Sequence, residues 1–323
     1  MEITVLKNCL VIDLEPKAPY NFNANFNKPS HFPSSNAHWE EDSFWTSTVW
    51  KRQELGLKFE DKGTIDKPKV TFSVFSQELL SKEFIDSLIP EIRWRFNFDS
   101  DLTEFSDKFE HERVLGPLIV KWRGMKPVAG VSLYEMLIIF VLLQNATVRR
   151  TVQMLENLFV RFGKKVAFDE KEFSTYWEPR TMAKSSVQEL RELKLGYRAK
   201  FLMKIAEHFV NNELDELALR SMKRDEVKKE LLNLYGIGPV SVNYLLCEGF
   251  YFCDTLESIP PFEQKIMSRV IFNRNLVSAK RILKFFRENY REWEMLAFHY
   301  FWEDLFWRRK KERIEWLEKE IRL

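Results

Sequence analysis

Cysteine is scarce in this chain: Cys9, Cys247 and Cys253 are the three among 323 residues. An odd number with no paired ligand spacing argues for a reducing compartment, and against both a disulfide framework and a cysteine-ligated metal or iron–sulfur cluster. Long apolar runs are missing too. The longest, Met136 to Leu143, is too short to span a bilayer, and nothing at the start resembles a signal peptide. There is no internal repeat and no low-complexity tract. Net charge nearly vanishes, since 50 Lys and Arg face 48 Asp and Glu, so charge has to be followed segment by segment. These absences describe a soluble, cytosolic chain with no membrane partner. What is present in quantity is aromatic: 28 Phe and 10 Trp, with 45% hydrophobic residues overall. That composition excludes disorder, and the length allows two or three compact lobes.

Residues 1 to about 75 carry short strand-like runs, "ITVLKNCLVIDL" and "TFSVFS", separated by Pro, Asn and Ser clusters such as "FNKPSHFPSSN". From about residue 76 the periods become helical, broken at "RGMKPVAG", "RFGKK", "YWEPRTMAKSS" and "DTLESIPPF". The expectation is a mainly α chain with an N-terminal β lobe (α+β). Its lobes are a β-rich 1–90, a helical 126–254, and a second helical lobe made of 91–125 with 255–323. "SLYEMLIIFVLLQ" opens with Ser132 and Glu135 in capping-box spacing and is apolar nearly all round, which predicts a central buried helix.

The stretch "LYGIGPVSVNYLLCEGF", 234–250, interrupts two helical patterns with Gly236 and Gly238 and then places Pro239 at the first position of the next helix. A helix, a hairpin and a helix of this kind turn unpaired N–H groups outward beside glycines, a site for a phosphate oxygen. A tight connection between packed helices would look the same. Downstream, "SIPPFEQKIMSRVIF" puts Glu263 in the first turn of another helix, where the dipole alone would also favour a carboxylate. From Gln264 to Arg291 eight Lys and Arg face the single acid Glu288, a net of +7. Such a segment suits nucleic acid, and it also suits a solvated helix face.

In this order the pieces resemble the helix-hairpin-helix (HhH-GPD) DNA glycosylase superfamily, in its AlkA and 8-oxoguanine glycosylase branch. The matching pieces are "PYNF" (Pro19 to Phe22), "SLYEMLIIFVLLQNAT", "LGYRAKFL" (Leu195 to Leu202), "LYGIGPVSVNYLL" and Pro-x-acid at Pro261 to Glu263. The resemblance covers most of the chain. It implies two helical lobes flanking a DNA-binding cleft, and base excision repair of double-stranded DNA containing damaged bases by a monomer, in the cytoplasm or nucleus. It implies no metal and no cofactor beyond a monovalent cation at the hairpin. It assigns DNA contacts to Gly236, Ile237, Gly238 and Val240 of the hairpin, to Arg198 and Lys265, and to Gln144 and Asn145, where Asn145 fills the gap left by the extruded base. It assigns the base pocket to Tyr244 and Trp302, which in the residues alone read equally as core aromatics. His299, a lone histidine, reads as packing. The last stretch, "WRRKKERIEWLEKEIRL", reads as a solvated amphipathic helix.

Two departures from the family pattern set the chemistry. Bifunctional members carry a lysine four residues after the first hairpin glycine; here that position is Val240, so the lyase nucleophile is absent. Where the family has its catalytic aspartate this chain has Glu263, and Asp254 comes too soon after the hairpin to fill the pattern. The resemblance then implies a monofunctional glycosylase acting on alkylated or deaminated purines such as 3-methyladenine or hypoxanthine. An 8-oxoguanine glycosylase and a catalytically inactive, structure-specific DNA-binding protein are the alternatives.

Overall fold

The computed structural model describes residues 2–321. They form two compact units: residues 1–27, 32–102 and 124–215 in the first, and residues 28–31, 103–123 and 216–323 in the second. The hairpin and Glu263 therefore share one unit, whereas the three-lobe expectation had put them in different lobes.

The first unit is built on strands β1 (Ile3–Val5), β2 (Asn8–Leu14), β3 (Ala37–Glu40), β4 (Ser43–Trp50), β5 (Gln53–Asp61), β6 (Val70–Ser76), β7 (Lys165–Phe168) and β8 (Lys171–Ser174). Five make an antiparallel sheet in the order β2-β6-β5-β4-β3. Alternation decides which face is covered: Leu55, Leu57 and Phe59 on β5 lie beside Val70, Phe72 and Val74 on β6, all fully buried, with Leu57 opposite Val74 and Phe59 opposite Phe72. Helix α1 (Lys82–Arg95), capped by Ser81, lays Leu88 and Ile92 on that face. Phe22, Phe26, Phe96 and Phe98 complete the core, with Phe26 and Phe96 stacked at 4.6 Å. Much of the chain's phenylalanine is used here.

A second sheet, β1-β7-β8, corrects the expectation that everything after residue 76 is helical. Its hairpin turns through Asp169 and Glu170, both at positive φ, the backbone that a two-residue connection between twisted strands demands. The strand period of "VAFDEKEF" is masked by its brevity, and the sheet is completed by β1 from the far end of the chain. Helix α2 (Leu133–Leu143) has the expected Ser132–Glu135 capping box and is buried along most of its length. It is followed by α3 (Val148–Phe162), and α4 (Arg198–Val210) packs in the same unit.

In the second unit, α5 (Arg224–Leu232) leads through the hairpin to α6 (Pro239–Tyr244), which continues as a π-helical turn, Leu245–Gly249. Then come α7 (Pro261–Phe272), α8 (Ala279–Asn289) and α9 (Glu294–Lys311). Helix α9 is buried over Glu294 to Phe301 and again over Glu303 to Trp307. Two expectations are corrected in this unit. The terminal stretch is not one solvated helix: it breaks at Glu312, and Ile314, Leu317 and Ile321 turn inward against Ile266 and Leu305. The cysteines do pair, as Cys247 and Cys253 form a disulfide. Tyr251, at positive φ, reverses the chain just after the π-helical turn and brings the two together, a meeting that spacing alone does not signal.

Candidate active site

Pro260 is the N-cap of α7 and Pro261 its first residue, so the helix starts at a point fixed by two rigid φ angles and Glu263 falls in its first turn. Glu263 is 9% exposed. Its carboxyl accepts a hydrogen bond from the phenol of Tyr244, on the second hairpin helix. Burial pushes the acid up to about 8, while the Tyr244 bond pulls the other way by favouring the carboxylate. Beside it, Phe262 meets Trp302 edge-on at 6.0 Å, and Trp302 stacks on Phe298 at 5.9 Å. Glu263, Tyr244 and Trp302, far apart in sequence, are thus assembled within one unit. Asp254 is used otherwise: it ion-pairs with Arg224 at 3.1 Å.

A buried polar group that sequence reading missed adjoins them. Lys28 is buried, with Nζ 3.4 Å from His299 Nε2. Ser30 donates its hydroxyl to Glu303 Oε1 at 2.5 Å. Glu248, four residues past Tyr244, feels Glu303, Lys28 and Glu263, and desolvation chiefly, with the neighbouring carboxylates, pushes it up to about 8. His299 is therefore a member of a polar cluster and does more than pack. Charged residues so rarely buried without partners signal a site. The only trace in the sequence was polar residues within "FNKPSHFP", which look like loop.

The hairpin has the geometry of a phosphate seat. Gly236 sits at φ +89, while Ile237 is buried and anchors the turn from below. Gly238 has an ordinary φ of −106, and a Cβ built there meets nothing within 4 Å. Neither strain nor packing asks for glycine at 238; open access does. The first intrahelical bond of α6 runs from the Val242 amide to the Gly238 carbonyl, so the amides of Val240 and Ser241 precede the ladder. Val240 is exposed beside them.

In the other unit, the turn after α2 presents Asn145 exposed at φ +47, with its amide 3.3 Å from the Tyr197 hydroxyl. Gln144 is half-buried, and its carbonyl accepts from both Tyr197 and Arg198. Arg198 is itself buried with its guanidinium on that carbonyl, a position from which it shapes the turn. Of the basic segment, Lys265 pairs with Glu320 at 3.3 Å, whereas Arg274, Lys280, Arg281, Lys284, Arg287 and Arg291 are exposed.

Residues 138–319 match the HhH-GPD superfamily of base excision DNA repair proteins, and the chain belongs to that family. Its class is the DNA glycosylase of base excision repair. Among relatives, the DNA-3-methyladenine glycosylase of Bacillus subtilis is 22% identical over 249 residues, 73% of this chain and 82% of that protein. Among solved structures, the 3-methyladenine DNA-glycosylase from Archaeoglobus fulgidus superposes with a TM-score of 0.68 at 17% identity, covering 92% of this chain and 99% of that one. The 8-oxoguanine glycosylase/lyase of Clostridium acetobutylicum gives 0.66 at 16% identity, covering 91% and 96%. At such identities the structures speak for the fold. Among the described residues no group of three or more His, Cys, Asp or Glu is placed to hold a metal ion, and no helix is long and apolar enough to cross a membrane.

Proposed function

We propose that the protein is a monofunctional DNA glycosylase that removes damaged purines, alkylated or deaminated, from double-stranded DNA, with Glu263 as the catalytic carboxylate. The observation that carries this reading is the bond from Tyr244 to the buried Glu263, which ties the acid to the helix that follows the hairpin. Breaking an N-glycosidic bond leaves an oxocarbenium-like sugar. A carboxylate beneath the anomeric carbon stabilises that charge and orients or deprotonates the attacking water. In the free protein Glu263 holds its proton up to about 8, so the reactive form is the one the Tyr244 bond favours.

Tyr244 and Trp302 supply aromatic faces for the extruded base, and the exposed Asn145 occupies the space it leaves. Val240 offers no amine to the sugar, so water is the nucleophile and the strand stays intact. The amides at the start of α6 and the exposed lysines and arginines of α8 hold phosphates without reading sequence.

The test uses duplexes bearing one lesion each, incubated with the protein and then resolved with and without alkali. Strand cleavage that appears only after alkali supports the reading. Cleavage without alkali would overturn its monofunctional part, and lesion binding with no abasic sites at any lesion would overturn the enzyme itself.

A further inference from the structure

Glu303 is 1% exposed; Oε1 takes the Ser30 hydroxyl, while Oε2 is buried and has no hydrogen-bond partner among the described residues. A buried carboxylate oxygen left so is costly unless a ligand or water meets it. Lys28, a cationic donor, faces the same carboxyl closely enough that each shifts the other's titration. An acceptor beside a donor has thus been assembled in a buried place.

Its position relates to the site already described. Glu303 directly follows Trp302 on α9. Lys28 interacts with Glu248, Glu248 with Glu263, and Tyr244 joins Glu263 by its phenol. The row from Glu263 through Tyr244 and Glu248 to Lys28 and Glu303 leads from the carboxylate assigned to the sugar to this donor–acceptor pair.

A 6-oxopurine presents an N1–H donor next to an O6 acceptor. A 6-aminopurine presents the reverse, an N1 acceptor next to an amino donor. Set against Lys28 and Glu303, the first makes two hydrogen bonds. The second brings lone pair to carboxylate and amino group to ammonium. We propose that Lys28 and Glu303 read the Watson–Crick edge of the extruded base, Lys28 donating to O6 and Glu303 Oε2 accepting from N1–H, so that the substrates are 6-oxopurines such as hypoxanthine and damaged guanines, in preference to damaged adenines. This rests on the glycosylase reading above and narrows it. A buried polar pair rejects the wrong edge more sharply than an apolar wall does, because the mismatched base leaves both groups unpaired.

The test measures affinity by fluorescence anisotropy for duplexes carrying 2′-fluoro-2′-deoxyinosine or 2′-fluoro-2′-deoxyadenosine, each opposite an abasic analogue so that no partner base holds it. The fluorine blocks cleavage. The unaltered protein should bind the inosine duplex about 10- to 100-fold more tightly. Lys28→Met should abolish most of that preference while changing adenosine affinity less than about threefold. Equal affinity of the unaltered protein for both duplexes overturns the proposal, as does a Lys28→Met variant that keeps the full preference. If Lys28→Met does not fold, Lys28→Gln, which retains a donor without the charge, should keep part of the preference, and its keeping all or none overturns the proposal. Base release is scored separately on cleavable deoxyinosine. A protein that prefers inosine through Lys28 yet releases no base loses the catalytic reading and keeps this one.

Discussion

The phenol of Tyr244 donates a hydrogen bond to the carboxyl of Glu263, joining the second hairpin helix to the first turn of α7. The bond works against the burial that keeps Glu263 protonated up to about 8. Tyr244→Phe keeps the aromatic face and removes the donor. Single-turnover base release should fall roughly tenfold near neutral pH, for about one unit of lost stabilisation of the carboxylate, and recover as pH rises. A pH–rate profile displaced to the alkaline side checks this; equal loss at every pH would point to a damaged pocket.

Glu263→Gln should abolish measurable base release while lesion-DNA affinity stays the same or tightens. The amide keeps size and much of the hydrogen bonding but removes the charge that stabilises the sugar cation, a loss of about 3–4 kcal/mol or more in the chemical step. Asp254→Asn, at a residue occupied by Arg224, should leave the rate within a few-fold. Single-turnover kinetics on both variants tells whether the acid has been placed on the right residue.

Burial pushes Glu263 and Glu248 up to about 8, Glu248 with added help from Glu303 and Glu263. Between the ordinary glutamate value and about 8 the folded protein keeps protons that the unfolded chain has released. Stability therefore falls as pH rises through that window, and base release, which needs the carboxylate, climbs toward a plateau above it. Glu263→Gln removes one of these protons from the balance. It should be more stable than the parent at pH 8 by on the order of 2 kcal/mol and nearly equal at pH 4. Urea unfolding at the two pH values is the measurement.

The two hairpin glycines should separate cleanly. Gly238→Leu places a side chain in open space at an ordinary φ, so stability should change by less than about 0.5 kcal/mol, while affinity drops for damaged and undamaged duplexes alike. Gly236→Ala forces a Cβ onto φ +89 and should cost about 1–2 kcal/mol of stability. Thermal melts and binding isotherms on both variants distinguish access from strain.

With Val240 where an amine would be needed, borohydride should trap no covalent complex on lesion DNA. A trapped band would identify another amine as nucleophile, and peptide mapping of that band would locate it.

What the sequence reveals here is whatever is carried by neighbours in the chain. The Ser132–Glu135 cap, the Gly-x-Gly-Pro turn and the acid behind Pro261 are local patterns with local causes, and they read directly. Long-range partners leave no such mark. The β7–β8 hairpin has its partner strand at Ile3–Val5, and the Lys28–His299 and Ser30–Glu303 contacts close over 271 and 273 residues. Polar residues in a Pro-rich stretch look like surface until a fold buries them. Exposure is just as invisible: Arg198 and Lys265 read as DNA contacts, yet the first lies buried on a carbonyl and the second pairs with Glu320.

Residues 28–31 belong to the second unit although the chain on either side of them belongs to the first. The two units are therefore not modules that a gene could shuffle or an experimenter could subclone at a single junction. A fragment beginning at residue 103 would retain the hairpin and Glu263 but arrive without Lys28 and without the Ser30 hydroxyl on Glu303. Such a truncation keeps the parts that mark the family and discards the four residues that complete its interior, so heredity has to transmit the β lobe and the excision machinery as one piece.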